Sequence, residues 1–256
     1  MFQILNNLPQ VTKNILILNI IFFILTYLQP NLTGLLGTYY ITSPLFEPFQ
    51  LITHFFMHGG FFHLFLNMWL FVMLGAFLER LWGPKRFFTF YILSAVGAFL
   101  LYNTMGVYQI AEIKNQLSNI DFDILDNILT SSRGSESELI NNANQYLNTV
   151  NLNYGDIDLI GKYISLVNTP LVGASGAVFG IMAAFAILFP NREFLLYFAI
   201  PVKAKYLVGG YFLWELYQSF NGTPGDNVAH LAHVGGAVVG AAIILYWRKN
   251  DKQNFW

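Results

Sequence analysis

The chain has no cysteine, so neither disulfides nor thiolate metal ligands are available, and its redox compartment is not readable. Charge is nearly as scarce: Asp, Glu, Lys and Arg make up 11% of the residues and almost cancel, to a net −1. A disordered chain and a nucleic-acid-binding surface are both excluded by that poverty. Internal repeats and low-complexity tracts are missing too. What fills the space is apolar, with 55% hydrophobic and 17% aromatic residues, 25 Phe and 14 Tyr among them. That composition fits an all-α, multi-spanning membrane protein lying in a lipid bilayer.

Runs of roughly 20 apolar residues are long enough to cross the hydrocarbon. Six spans are expected, at about 15–29, 61–82, 87–107, 171–189, 206–220 and 228–247, forming one membrane domain over 1–256. The first follows Lys13 and precedes Gln29-Pro30-Asn31. With a weak basic region and no A-x-A site, it reads as a retained span, not a signal peptide. Residues 29–60, broken by Pro30, Pro44 and Pro48, read as an interfacial loop before the second span. Gly83-Pro84 ends that span. Phe194 to Val202 is apolar but too short to cross and is interrupted by Pro201, so it is placed at an interface. Between residues 112 and 162 stand eight acids and three bases. This stretch is a soluble insertion with amphipathic helices, not a second catalytic domain, and substrate selection is a role it suggests.

Basic residues set the orientation. With six spans, Lys13, Arg80, Lys85, Arg86, Arg192, Lys203, Lys205, Arg248, Lys249 and Lys252 share one side, whereas Lys114, Arg133 and Lys162 lie in the long loop. The positive-inside rule then puts both termini in the cytoplasm and the acidic insertion outside a cell membrane. Spans two, four and six all run inward in this topology. Residues near their starts therefore share one depth just below the outer surface: His63 and Asn67, Ser175, and His233. The other histidines, His54, His58 and His230, lie at or near the same layer.

Polar side chains in a membrane are costly and mark function by default. Ser175 stands in Leu171-Val-Gly-Ala-Ser-Gly-Ala-Val-Phe-Gly180. One reading makes Gly173, Ser175, Gly176 and Gly180 a small-residue helix contact. The sharper reading makes Ser175 a nucleophile at a helix N-terminus, with free backbone N–H groups beside it. A serine hydroxyl needs a base within hydrogen-bond reach, usually histidine. No acid lies near the start of span four, so the expectation is a Ser–His dyad without a carboxylate. His63 and Asn67, four apart on one helix face, are candidate donors to an oxyanion. Gly176 and Gly180 on span four, with Gly236 and Gly240 on span six, would let the helices approach closely. Glu215, inside span five, is expected to make a structural hydrogen bond, with gating as a weaker role.

These residues resemble the rhomboid family of intramembrane serine proteases. Gly173-Ala-Ser175-Gly176 is similar to its G-x-S-G, and Thr53-His54-Phe-Phe-Met-His58-Gly-Gly-Phe-Phe-His63-Leu-Phe-Leu-Asn67 to its histidine-rich entry to the second span. Glu79-Arg80 followed by Gly83 resembles the inner end of that span, and Ala232-His233-Val-Gly-Gly236-Ala-Val-Val-Gly240 the family's A-H-x-x-G-x-x-x-G. The resemblance implies Ser175 as nucleophile, His233 as base in preference to His230, and His63 and Asn67 at the oxyanion hole. It implies a serine endopeptidase that needs no cofactor or metal and cuts single-span or multi-span membrane proteins near the outer face, its active site opening to the extracytoplasmic side. Phe49-Gln50 departs from the Trp-Arg common ahead of the second span, and the acidic insertion is longer than a minimal member needs. Two other readings compete. A non-catalytic relative that binds transmembrane helices would usually lack the serine or the base. A metal site could use His54 with His58, at helical i, i+4 spacing, or His230 with His233, at i, i+3, but no carboxylate accompanies either pair in sequence.

Overall fold

A computed structural model describes residues 7–196, 200–221 and 228–250. Helices dominate, in the order α1 (Gln10–Leu28), α2 (Asn31–Leu36), α3 (Gln50–Thr53), α4 (Phe61–Trp82), α5 (Pro84–Gln116), α6 (Phe122–Ser131), α7 (Glu136–Leu147), α8 (Tyr154–Asn168), α9 (Ser175–Leu188), α10 (Ala204–Asn221) and α11 (His230–Asn250). One π-turn, Phe71–Gly75, lies inside α4. The departure from an all-helical chain is a hairpin: β1 (Glu193–Leu196) pairs antiparallel with β2 (Ile200–Lys203), Leu195 opposite Pro201. This is the stretch expected as an apolar interfacial piece; residues 197–199 of it lie outside the described residues. Too short for a spanning helix, it satisfies backbone groups by pairing with itself, and Pro201 is tolerated because a two-stranded sheet has only edge strands.

α1, α4, α5 and α11 are long and apolar enough to cross a membrane, which makes this a multi-pass membrane protein. Phe61, Phe62, Phe65, Leu66 and Trp69 of α4 are each at least half exposed, a surface suited to lipid and not to water. α9 has 14 residues and α10 has 18. At 1.5 Å per residue they reach about 21 and 27 Å, short of a hydrocarbon layer of roughly 30 Å. The expected fourth span, 171–189, is thus a helix only from Ser175. Leu171 is held in an isolated bridge with Thr38, and Gly173 has φ of 120°, outside any helical backbone.

The chain divides into two compact units. The first comprises Met1–Ile24, His58–Tyr102 and Gly173–Trp256. Its centre is a contact of small residues between α9 and α11. A Cβ on Gly240 would stand 2.6 Å from the Gly180 Cα, and one on Gly236 would overlap the Gly176 carbonyl oxygen. The early part of α5 joins this contact: a Cβ on Gly176 would strike Ala98, and one on Gly180 would stand 2.5 Å from the Ser94 hydroxyl oxygen. Backbones approach this closely in lipid only where side chains are minimal. At the start of α1, the Glu79 carboxylate accepts from the Val11 and Thr12 N–H groups at 2.8 and 2.7 Å and from the Thr12 hydroxyl at 2.7 Å. An acid there satisfies donors that have no intrahelical acceptor and complements the helix dipole.

The second unit comprises Leu25–Met57 and Asn103–Val172. It holds the acidic insertion, whose helices α6, α7 and α8 bury Leu125, Leu129, Leu139, Ile160 and Tyr163. Asp121, Ser135 and Asn153 cap them, Asn153 in a reciprocal pair with Asp156. Cap chemistry and amphipathic spacing explain how so polar a stretch is ordered.

Candidate active site

Ser175 is the first residue of α9, so the first-turn N–H groups around it have no intrahelical acceptor. The chain enters through Gly173, where a Cβ would be strained by its φ of 120° and would stand 3.0 Å from His63 Nε2 and 3.6 Å from Ser175 Oγ. Glycine here lets a histidine of α4 close over the start of α9. On the other side, His233 of α11 brings Nε2 to 2.9 Å from Ser175 Oγ. The close glycine contact between α9 and α11 is what permits that reach. His230, a turn earlier, has its Nδ1 against Glu215.

Glu215 is the feature that linear reading placed incompletely. A structural hydrogen bond was expected of it, but its partner is His233. The Glu215 carboxylate, from α10, accepts from His233 Nδ1 at 2.8 Å and from His230 Nδ1 at 2.6 Å through the same oxygen, and the residue is only 2% exposed. A pair of Ser175 and His233 without a carboxylate is therefore corrected: an acid stands behind the histidine, supplied by another helix and not by residues near Ser175. The signal in the sequence was an ionisable residue inside an apolar run together with two histidines at i, i+3 needing an acceptor. Phe179 was overlooked altogether. Its ring lies flat on His233, with centroids 4.2 Å apart and planes at 9°, and its place four residues after Ser175 puts it on the same helix face.

His63 accepts a backbone hydrogen bond on its ring. The Gly59 N–H donates to its Nδ1 at 3.3 Å, so Nε2 carries the proton and is a donor on the side facing Gly173. Its ring meets His58 edge-on at 5.0 Å. Asn67 is buried one turn further along α4, and its amide donates to the His63 carbonyl at 2.9 Å. Among the described residues no hydrogen bond joins Asn67 to Ser175. Ser175, His233 and His63 are thus brought together, with Asn67 on the same helix face as His63.

The histidine pairs fare differently as metal ligands. His54 ends a helical stretch in a 3-10 turn, and Met57 is extended, so His54 and His58 lose the helical spacing that would align them. His230, His233 and Glu215 do form a group whose ligand atoms lie within 4.8 Å of one another, and the carboxylate missing from the sequence reading is present. Two ligands each about 2.0 Å from a tetrahedral ion stand roughly 3.3 Å apart. The separations of 2.6 and 2.8 Å are instead those of N–H···O bonds to an acidic acceptor.

Comparison with known proteins identifies relatives of the chain. A family model described as Rhomboid domain matches residues 45–111 and 145–250, which is most of the chain and includes all of the side chains above. An uncharacterised mitochondrial rhomboid protein of Schizosaccharomyces pombe is 42% identical over 79 residues, a segment that covers 30% of this chain and 20% of that protein's own length.

Proposed function

The chain belongs to the rhomboid family, and from that premise we propose that it is an intramembrane serine endopeptidase hydrolysing a peptide bond in transmembrane-helix substrates. The observation that carries the reading is the 2.9 Å approach of His233 Nε2 to the Ser175 hydroxyl at a helix N-terminus. In this reaction Ser175 Oγ bonds to the scissile carbonyl carbon while its proton passes to His233 Nε2, and the carbonyl π electrons move to the oxygen. The oxyanion takes hydrogen bonds from first-turn N–H groups of α9, from His63 Nε2–H and from Asn67, each donor worth about 10²–10³ in rate. Collapse breaks the C–N bond, and His233 returns the proton to the leaving amine. A water activated by the same histidine then releases the acyl group.

Six crossings fit this reading, with α9 and α10 as the short fourth and fifth, both termini cytoplasmic and the acidic insertion outside. A short α9 would start below the surface, so that Ser175 sits within the outer leaflet. The substrate helix must then unwind locally, because a helical amide is shielded by its own hydrogen bond. A non-catalytic helix binder has no need of an aligned serine and histidine.

The test is cleavage of a model single-span substrate in proteoliposomes, with fluorophosphonate labelling run in parallel. Ser175→Ala and His233→Ala are expected to abolish cleavage and labelling. Wild-type protein that is folded, yet neither cleaves nor labels, would return the chain to the binding role.

A further inference from the structure

The reaction just described uses Ser175, His233, His63 and Asn67, and leaves buried Glu215 and half-buried His230 without a task. We infer that Glu215 is a positioning residue for His233, fixing its tautomer and the direction of its ring, and that His230 holds Glu215 in place. The inference rests on the reading of Ser175 and His233 as nucleophile and base.

An ionised carboxylate only accepts hydrogen bonds. Two imidazoles facing one carboxylate oxygen, at 2.8 Å from His233 Nδ1 and 2.6 Å from His230 Nδ1, must each present Nδ1–H. With Nδ1 protonated, the remaining lone pair of neutral His233 is on Nε2, the atom 2.9 Å from Ser175 Oγ. That is the tautomer able to take the hydroxyl proton. The opposite tautomer would point a donor at the serine and leave it without a base. When His233 becomes an imidazolium, the carboxylate behind it is the nearest compensating charge. This logic is that of the third member of a serine triad, here delivered by an acid on α10.

Tyr211, one turn earlier on α10, hydrogen-bonds Glu215 from its own helix, which by itself leaves the carboxylate freedom relative to α11. His230 removes that freedom: it is the first residue of α11, three before His233 on the same face, and shares the same carboxylate oxygen. Phe179 fixes the remaining degree of freedom by stacking on the His233 ring. The base is thus held by its edge, by its face and by a clamp on its partner.

Glu215→Gln is the discriminating variant. Its amide N–H can face His233 Nδ1 and stabilise the wrong tautomer, for which an uncharged replacement of a triad acid loses about 10⁴ in kcat. In full-length protein in proteoliposomes, we expect kcat to fall by about 10²–10⁴ with KM and the unfolding midpoint little changed. Nitrogen-15 NMR of imidazole-labelled protein reads the tautomer without any turnover: wild type should show His233 with Nδ1–H, and Glu215→Gln a shift toward Nε2–H. His230→Gln should lose about tenfold, since one good contact is worth about that factor. Glu215→Asp, which keeps the charge, serves if Glu215→Gln does not fold, and should keep the wild-type tautomer. Folded Glu215→Gln cleaving within about threefold of wild type, or wild-type His233 carrying its proton on Nε2, overturns the inference. A wild type that never cleaves or labels overturns the protease reading instead, and the tautomer measurement still decides the role of Glu215.

Discussion

Two buried glutamates of the first unit, Glu79 and Glu215, are each only 2% exposed, yet they are held by different kinds of partner. Glu79 accepts from two backbone N–H groups and one hydroxyl at the start of α1, donors that never change their protonation. Glu215 accepts from two imidazoles, one of which touches the serine. Burial and hydrogen bonding alone do not separate structural from chemical roles. The nature of the donor does: a carboxylate tied to peptide groups fixes a helix, whereas one tied to a titratable ring sets how that ring exchanges protons.

Exchanging the two acids in turn breaks or sustains that distinction. The largest effect is the loss of turnover on Glu215→Gln, in protein that stays folded. Glu79→Ala is expected to reverse the pattern. It strands two helix N-terminal donors and a hydroxyl, and should lower stability by about 2 to 4 kcal/mol. The folded fraction should still label with fluorophosphonate at the wild-type rate, within about twofold. Unfolding in mixed detergent and denaturant, paired with labelling kinetics, measures both, and a labelling rate that falls with Glu79 would erase the contrast.

A smaller effect sharpens the same point from the backbone side. Gly240→Ala places a methyl 2.6 Å from the Gly180 Cα, so α9 and α11 must part. Overpacking of this kind costs about 1 to 3 kcal/mol. Because Ser175 and His233 sit on those two helices, the separation should also slow labelling, unlike the loss of Glu79. A stability loss with unchanged labelling would mean that the serine and histidine are aligned by other contacts.

The legible parts of this site were those written locally. Gly173-Ala-Ser175-Gly176 and the glycine spacing after His233 each lie within one short stretch of chain, and each carried both its packing and its chemical sense. Choosing His233 over His230 rested on the resemblance to the family's A-H-x-x-G-x-x-x-G, which is met from Ala232-His233 with Gly236 and Gly240, whereas starting at His230 puts His233 and Ala237 where glycines belong. Glu215 was visible as an acid out of place, but its partner was not, since α10 and α11 are separate elements and no short motif specifies how they meet. The exact start of α9 depended on Gly173 adopting φ of 120°, and sequence alone read the helix four residues early. The hairpin at 193–203 was hidden because strands of four residues carry almost no periodic signal. In the insertion, composition spoke of a polar loop, while the order came from caps at Asp121, Ser135 and Asn153.

His54 offers the mildest test of the donor rule. It belongs to the second unit, ahead of α4, and its Nδ1 donates at 2.6 Å to the Gln50 carbonyl, a partner that takes no proton. Burial pushes its imidazole down to about 4, the bond to that carbonyl acting weakly the other way. The unfolded chain, with an ordinary histidine near 6.5, therefore binds protons that the folded chain refuses throughout the interval between those values. Stability from this group is complete above about 6.5, declines as the pH falls toward 4, and is level below. Between pH 7.5 and 5.5 the loss should be about 1 kcal/mol. Comparing unfolding of wild type and His54→Gln at those two pH values isolates it, because other titrating groups cancel in the difference. By analogy with Glu79, the folded fraction should label at Ser175 at an unaltered rate in His54→Gln. A variant as acid-sensitive as wild type would mean that the His54 ring is not kept neutral by its surroundings. A variant with slowed labelling would mean that a histidine whose Nδ1 is tied to a peptide carbonyl also reaches the chemistry, and the donor rule would then fail where it is simplest.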